Sequence, residues 1–334
     1  MSLSFTPPTP WAIETIATPR LWALTLLAVA GLLVVDFLLT RRPHEVSMRE
    51  AAGWSAFYVA LPVAFGGYLW FEHGGATASD YYTGYLVEKS LSVDNLFVFL
   101  LLLSAFAVPA ALQQRVLLYG IIGALVLRGV FIAVGAAALA AFDVVFLIFG
   151  LILLLTGAKL LRDAVTGADH DEVDPDRLRS VRLIRRFMPV TTEYHGTALT
   201  VREAGRCALT PLALVVAAVF ATDIVFAVDS VPAVYGITED PYLVFATNAF
   251  ALLGLRALYF VIASLLTRLI YLSYGLAAIL GFIGVKLALH WAHLRWEQVP
   301  AIDNRTSLWV VLVVLVTTTV ASLVVVRRRE AAGH

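Results

Sequence analysis

Charge is scarce in this sequence. Only 14% of its 334 residues are Asp, Glu, Lys or Arg, and 24 acidic residues balance 24 basic ones. A neutral chain of this kind lacks the basic footprint of a nucleic-acid partner. Cysteine is nearly absent as well. Cys207 stands alone, which excludes an intrachain disulfide and a cysteine-rich metal site. There is no HExxH, no nucleophile elbow, no Cys/His pair and no GxxxxGK[ST] loop. The expectation is a protein that is not an enzyme, holds no cofactor and hydrolyses no nucleotide.

Apolar surface is abundant instead. The chain is 60% hydrophobic, with a mean hydropathy of +0.85. That is more than a soluble domain needs, so the composition implies an all-α integral membrane protein. A bilayer core of roughly 30 Å takes about 20 apolar helical residues. Nine stretches qualify: 21–40, 52–71, 81–107, 116–138, 143–161, 208–235, 242–265, 270–292 and 307–326. Basic residues recur in every second link: Arg41, Arg42 and Arg49, then Arg115, then the 162–206 link, then Arg268, then 327–329. The intervening links 72–80, 139–142 and 236–241 have none, although Arg295 and Arg305 interrupt the pattern in 293–305. The positive-inside rule then places the N-terminus outside and the C-terminus in the cytoplasm. Residues 1–20 lack the flank and cleavage site of a signal peptide and read as an exposed tail. The 162–206 link joins an acidic "DHDEVDPDR" to a basic "RLRSVRLIRRF". The second is either an amphipathic helix on the inner leaflet or a solvated loop whose arginines set topology.

The sequence also repeats itself. "EKSLSVDNLFV" begins at Glu88 and "DIVFAVDSVPA" at Asp223, each with a second acid six residues on, Asp94 and Asp229. "LVLRGVF" around Arg128 matches "LGLRALYF" around Arg256, and "LLTGAKL" at Lys159 matches "GFIGVKL" at Lys286. Three markers in the same order imply two three-span units, 81–161 and 207–292, separated by the cytoplasmic loop 162–206. An odd number of spans makes the second unit enter from the opposite side, the inverted-repeat plan of many secondary transporters. Residues 21–80 and 293–334 supply peripheral spans and a basic C-terminus.

Charges at membrane depth cost on the order of 3 kcal/mol or more each, so their default reading is functional. Glu88, Asp94, Asn95, Asp223, Asp229 and Ser230 form an oxygen-rich set suited to a hard divalent cation. Arg128 and Arg256 would offset part of the acid charge and leave a surplus that one divalent cation neutralises. Glu88, Ser92 and Asn95 share a helical face, whereas Glu88 and Asp94 do not. Both acids could converge if the helix opened between them, and Pro232 gives a reason for such a break beside Asp229. The alternative is a set of internal salt bridges that hold the bundle together. Asp36 reads as an interfacial cap, Lys159 and Lys286 as snorkelling side chains, and His290 with His293 as interfacial histidines or a metal-collecting pair.

"EKSLSVDNLFVF" and "FATDIVFAVDSVPAVYGITEDPYLVFATNAFALLGLRALYF" closely resemble the two signature blocks of the TerC family, which includes Alx-type proteins and sits among LysE-like transporters. The resemblance covers residues 20–325. It implies a multi-pass bacterial inner-membrane protein tied to tellurite resistance by family name and to manganese export. By position, it places the family's acidic motif residues on Glu88, Asp94, Asn95, Asp223, Asp229 and Ser230. The expected activity is Mn²⁺ export by alternating access, with proton exchange as the simplest driving force. The expected partners are the ion, protons and the lipid bilayer. The other reading is a membrane scaffold, assembly or tellurite-resistance factor that moves no ion.

Overall fold

A computed structural model describes residues 15–39, 47–166, 179–203, 206–262, 270–296 and 298–331. Arg41, Arg42, Arg268, "DHDEVDPDR" and most of the N-terminal tail lie outside the described residues. The described chain contains ten helices: α1 (Pro19–Leu39), α2 (Met48–Ala105), α3 (Ala110–Ala141), α4 (Val144–Thr166), α5 (Arg179–Phe187), α6 (Pro211–Tyr235), α7 (Pro241–Leu253), α8 (Leu255–Ile262), α9 (Leu272–His293) and α10 (Asn304–Ala331). Between α5 and α6, strands β1 (Thr200–Glu203) and β2 (Arg206–Leu209) form an antiparallel hairpin. Six helices are long and apolar enough to cross a membrane, or seven if α7 and α8, bent by 42°, count as one span.

At 58 residues α2 would be roughly 87 Å long if straight. It is not straight. Gly74 has φ +87° and ψ 169°, a conformation glycine adopts without a Cβ clash. The chain doubles back there. The Tyr82 hydroxyl donates to the carbonyl of Val63 at 2.8 Å, and the Phe65 and Tyr81 rings sit 5.2 Å apart. Gly66 lets the arms touch, since a Cβ there would lie 2.3 Å from the Tyr82 ring.

Local chemistry sets the other boundaries. Ser47 caps α2 by accepting from the Glu50 amide at 3.3 Å. Thr210 and Asp240 cap α6 and α7, each followed by proline at the first helical position. Pro232 does not break α6, which stays helical to Tyr235. The proline lies in the last turn, where one missing amide costs little. The break in this half falls at Gly254, between α7 and α8.

Polarity is arranged inside out relative to a soluble protein. Leu27, Val130, Leu155, Val225 and Val316 are exposed, while Glu88 and Arg128 are fully buried. Helices α4 and α9 pack closest. A Cβ on Gly150 would lie 2.8 Å from the carbonyl oxygen of Gly284, and one on Gly284 would lie 2.9 Å from that of Gly150. Two turns away, a Cβ on Gly157 would lie 3.1 Å from the carbonyl oxygen of Ala277. Small residues replace side-chain packing with backbone contact, as membrane helix pairs require.

The links sort to two ends. Thr77, Asp80, Leu139, Glu239, His290 and Asn304 surround one vestibule of about 840 Å³. At the other end, Ala105, Phe106, Arg185, Tyr194 and Pro211 line a second cavity. Tyr194 donates there to Phe106 O at 2.9 Å, which ties the hairpin segment to α2. The basic stretch is helical, as α5, with Val181 buried against the bundle and Leu183 and Phe187 exposed.

Candidate functional site

Two arginines organise the buried charge. Arg128, in the middle of α3, is fully buried. Its Nη1 is paired with Glu88 Oε1 of α2 and donates to Asn248 Oδ1 of α7 at 2.9 Å. Its Nη2 lies 3.5 Å from Asp223 Oδ1 of α6. Three helices thus deliver one group each to the guanidinium of a fourth. Asn248 is held in turn by donating to Val244 O at 2.9 Å.

Glu88 reaches this centre because it shares a face with Ser92 and Asn95, all three buried. Asp223 and Ser230 hold the same spacing on α6 and are also buried. Asp94 and Asp229 precede Asn95 and Ser230 by one residue and are only half-buried. Neither helix opens between its two acids, so the expected convergence of all four carboxylates does not occur here. Asp229 lies within electrostatic reach of Arg128 and Lys159. Among the described residues no three His, Cys, Asp or Glu side chains are grouped to hold an ion. Arg128 stands between Glu88 and Asp223, a positive charge where a cation would sit.

Arg256 belongs to a different centre. Its Nη2 donates to Asp36 Oδ1 at 2.8 Å and its Nη1 to Gln114 Oε1 at 2.9 Å. The Tyr58 hydroxyl also donates to Asp36 Oδ1, at 2.8 Å. Asp36 is therefore no interfacial cap; it is buried and ion-paired. Arg256 offsets Asp36 of α1, not the acids of the repeat, because the bend at Gly254 directs α8 toward α1 and α3. Glu88 and Asp223 thus face Arg128 without help from Arg256.

Other expectations change at the vestibule. Lys286 is buried there and donates to Asn304 Oδ1 at 2.6 Å, so it does not snorkel. His290 and His293 do not pair with each other. His290 Nε2 lies 3.4 Å from Glu239 Oε1, and His293 Nδ1 lies 2.6 Å from Val299 O. Asp240 caps α7 and also accepts from Thr15 Oγ1 at 2.7 Å and Ile16 N at 2.8 Å. Asp80 lines the vestibule in the 72–80 link, and burial pushes its carboxyl up to about 6 against the pull of Asn304 and Lys286. Asn248, Gln114 and Tyr58 went unnoticed in the sequence. Asn248 had the clearest signal, as one amide inside the apolar "FATNAFALL".

Comparison with known proteins agrees with this architecture. The profile of the integral membrane protein TerC family matches residues 73–330. The chain is similar to an uncharacterized membrane protein of Mycobacterium tuberculosis (strain CDC 1551), 46% identical over 290 residues, covering 86% of this chain and 72% of that one. A second uncharacterized membrane protein, from Myxococcus xanthus, is 41% identical over 275 residues, 82% of this chain and 85% of that one. Alx of Escherichia coli K12, whose name describes it provisionally as a membrane-bound redox modulator, is 42% identical over 287 residues, 83% of this chain and 88% of that one. No solved structure gives a significant match. With the profile spanning most of the sequence and the signature acids gathered in the bundle interior, the chain is a multi-pass integral membrane protein that belongs to the TerC family.

Proposed function

We propose that this chain exports a divalent cation, Mn²⁺ above others, across the bacterial inner membrane by alternating access of two inverted three-span units. The observation that carries the proposal is the meeting of Glu88 and Asp223 on Arg128. These acids occupy matching positions of the two units, so the centre lies where the units join, as substrate sites do in inverted repeats. A guanidinium there holds two buried carboxylates together until a cation displaces it. Asp94, Asn95, Asp229 and Ser230 flank the pair and would complete an oxygen cage once the units rearrange.

The packing supports the inverted plan. The second arm of α2 packs on α7 as α3 packs on α6. The offset that carries Lys159 onto Lys286 also carries Gly157 onto Gly284 and Gly150 onto Ala277. It therefore turns the Gly150–Gly284 contact into the Ala277–Gly157 contact. Counting both arms of α2, and α7 with α8 as one, the chain crosses nine times, with the N-terminus outside and the C-terminus in the cytoplasm. Carboxylates that take a cation must first lose protons, so exchange of metal for protons is the simplest cycle. It needs no nucleotide and no resident cofactor.

The second reading is a scaffold, assembly or tellurite-resistance factor. A redox role, as in the name of the Escherichia coli relative, would rest on one exposed thiol, Cys207, whereas an intrachain dithiol cycle needs two. Proteoliposomes with a trapped pH dye separate the readings. Added Mn²⁺ should enter and alkalinise the lumen, and Glu88→Gln, Asp223→Asn, Asp94→Asn or Asp229→Asn should each cut uptake at least tenfold at normal protein levels. Parental rates in all four variants would sink the metal site. Metal entry without proton movement would sink the coupling alone.

A further inference from the structure

The second arm of α2 carries a line of hydroxyls that the ion-pair centre does not use. Thr77, Tyr81, Tyr85, Glu88, Ser92 and Asn95 follow one another at steps of 4, 4, 3, 4 and 3 residues. At 100° per residue they fall within an arc of about 80°. From Tyr81 to Asn95 all are buried, and Tyr85 is the most open at 6% exposure. Thr77 lines the vestibule and Glu88 holds Arg128. The line therefore connects the two, over roughly 17 Å of helix.

The hydroxyls of Tyr81, Tyr85 and Ser92 have no hydrogen-bond partner in the protein, and neither does Glu88 Oε2. Asp223 Oδ2 and Ser230 Oγ on α6 are in the same condition. The two tyrosine rings stack, 6.3 Å apart and 11° from parallel, and Tyr81 packs edge-on against Phe65. Phenylalanine would pack as well without leaving a hydroxyl stranded, which costs about 1–3 kcal/mol per group. Single unpaired groups are scattered through ordinary folds. Ser55, Ser79 and Trp291 are such scattered cases, whereas Tyr81, Tyr85 and Ser92 share one stripe with Glu88. Buried polar groups of this kind are satisfied by water, which needs two to four polar partners and finds them along such a line.

We infer that the stripe from Thr77 to Ser92 is a hydrated route between the vestibule and the Glu88–Arg128–Asp223 centre, used by protons and small cations. A phenol donates and accepts together, so a proton passes along water and hydroxyls without charging either tyrosine. That the route serves Mn²⁺ export rests on the function proposed above; its hydration does not.

Two measurements test it. In a Cys207→Ser background, Tyr85→Cys and Ser92→Cys should react with an impermeant ammonium-bearing methanethiosulfonate at least tenfold faster than Val87→Cys and Leu91→Cys. The control positions are buried at the same depth on another face. Equal rates would overturn the route. Independently, Tyr81→Phe combined with Tyr85→Phe should keep the melting temperature and lower Mn²⁺-dependent proton flux at least tenfold. A double variant that melts higher and transports at the parental rate would assign the hydroxyls to packing and overturn the route as well. If the stripe labels while the parent protein moves no Mn²⁺, the route stands and the metal reading falls; transport with an unlabelled stripe gives the reverse.

Discussion

Asp36 and Arg256 form a buried pair in which each half depends on the other. Removing one partner strands a charge away from water, a loss of about 3–5 kcal/mol, whereas an apolar pair of similar volume is often neutral. Arg256→Gln should therefore express poorly, and Asp36→Asn should rescue it. Asp223→Asn should not, because Asp223 faces Arg128. Fluorescence-detected gel filtration of the three variants checks this, and rescue by Asp223→Asn would refute the assignment. Asp80 gives a pH effect of definite sign. Its carboxyl is raised to about 6, chiefly by burial, so the folded state favours the protonated form. That contribution is complete below the ordinary value of 3.8 and is lost as pH rises through about 6. Melting temperature should fall across this window more steeply in the parent than in Asp80→Asn. Parallel curves would show that Asp80 is not the group responsible.

Among the elements, α4 and α9 make the most sensitive contact, because backbone meets backbone there. A Cβ at Gly150 would lie 2.8 Å from the Gly284 carbonyl oxygen, and one at Gly284 would lie 2.9 Å from both the Gly150 carbonyl oxygen and Leu154 Cγ. Gly150→Ala and Gly284→Ala should each destabilise by about 1–3 kcal/mol, the usual cost of overpacking. Gly281 on the same helix α9 faces open space. Gly281→Ala should be neutral or stabilise by up to about 1 kcal/mol through helix propensity. Thermal melts of the three purified variants distinguish them, and a uniform effect would mean that the helices separate readily. Glycine spacing was visible in the sequence, but which glycine touches backbone and which faces space was not. That depends on the rotation of both helices about their axes.

Across the whole molecule, the vestibule and the hairpin end define two faces. Single cysteines at Thr77 and Ala301 in a Cys207→Ser background should label from outside intact cells. One at Asp171, beyond the described residues, should label only after permeabilisation. The reverse pattern would overturn the proposed sidedness of the two faces. The same geometry separates the two arginine centres. Arg128 lies between Glu88 of α2 and Asp223 of α6, and Arg256 lies toward α1 and the N-terminal part of α3. Their equivalence in sequence therefore does not extend to their partners.

Apolar run length and motif spacing were enough to determine the helical class, the apolar stretches and the face shared by Glu88, Ser92 and Asn95. These are local properties, and a helix in lipid must satisfy its own backbone hydrogen bonds whatever surrounds it. The family was legible too, because its two blocks are long and contiguous. Tertiary structure alone decided which acid meets which arginine, that Asp36 is an interior ion pair, that Pro232 leaves α6 unbroken, and that Tyr81 and Tyr85 extend the polar stripe to the vestibule. Those outcomes depend on helix rotation, on the bends at Gly74 and Gly254, and on which helices become neighbours. Partners separated by 120 residues, such as Arg128 and Asn248, leave no trace in local pattern because nothing between them constrains their distance.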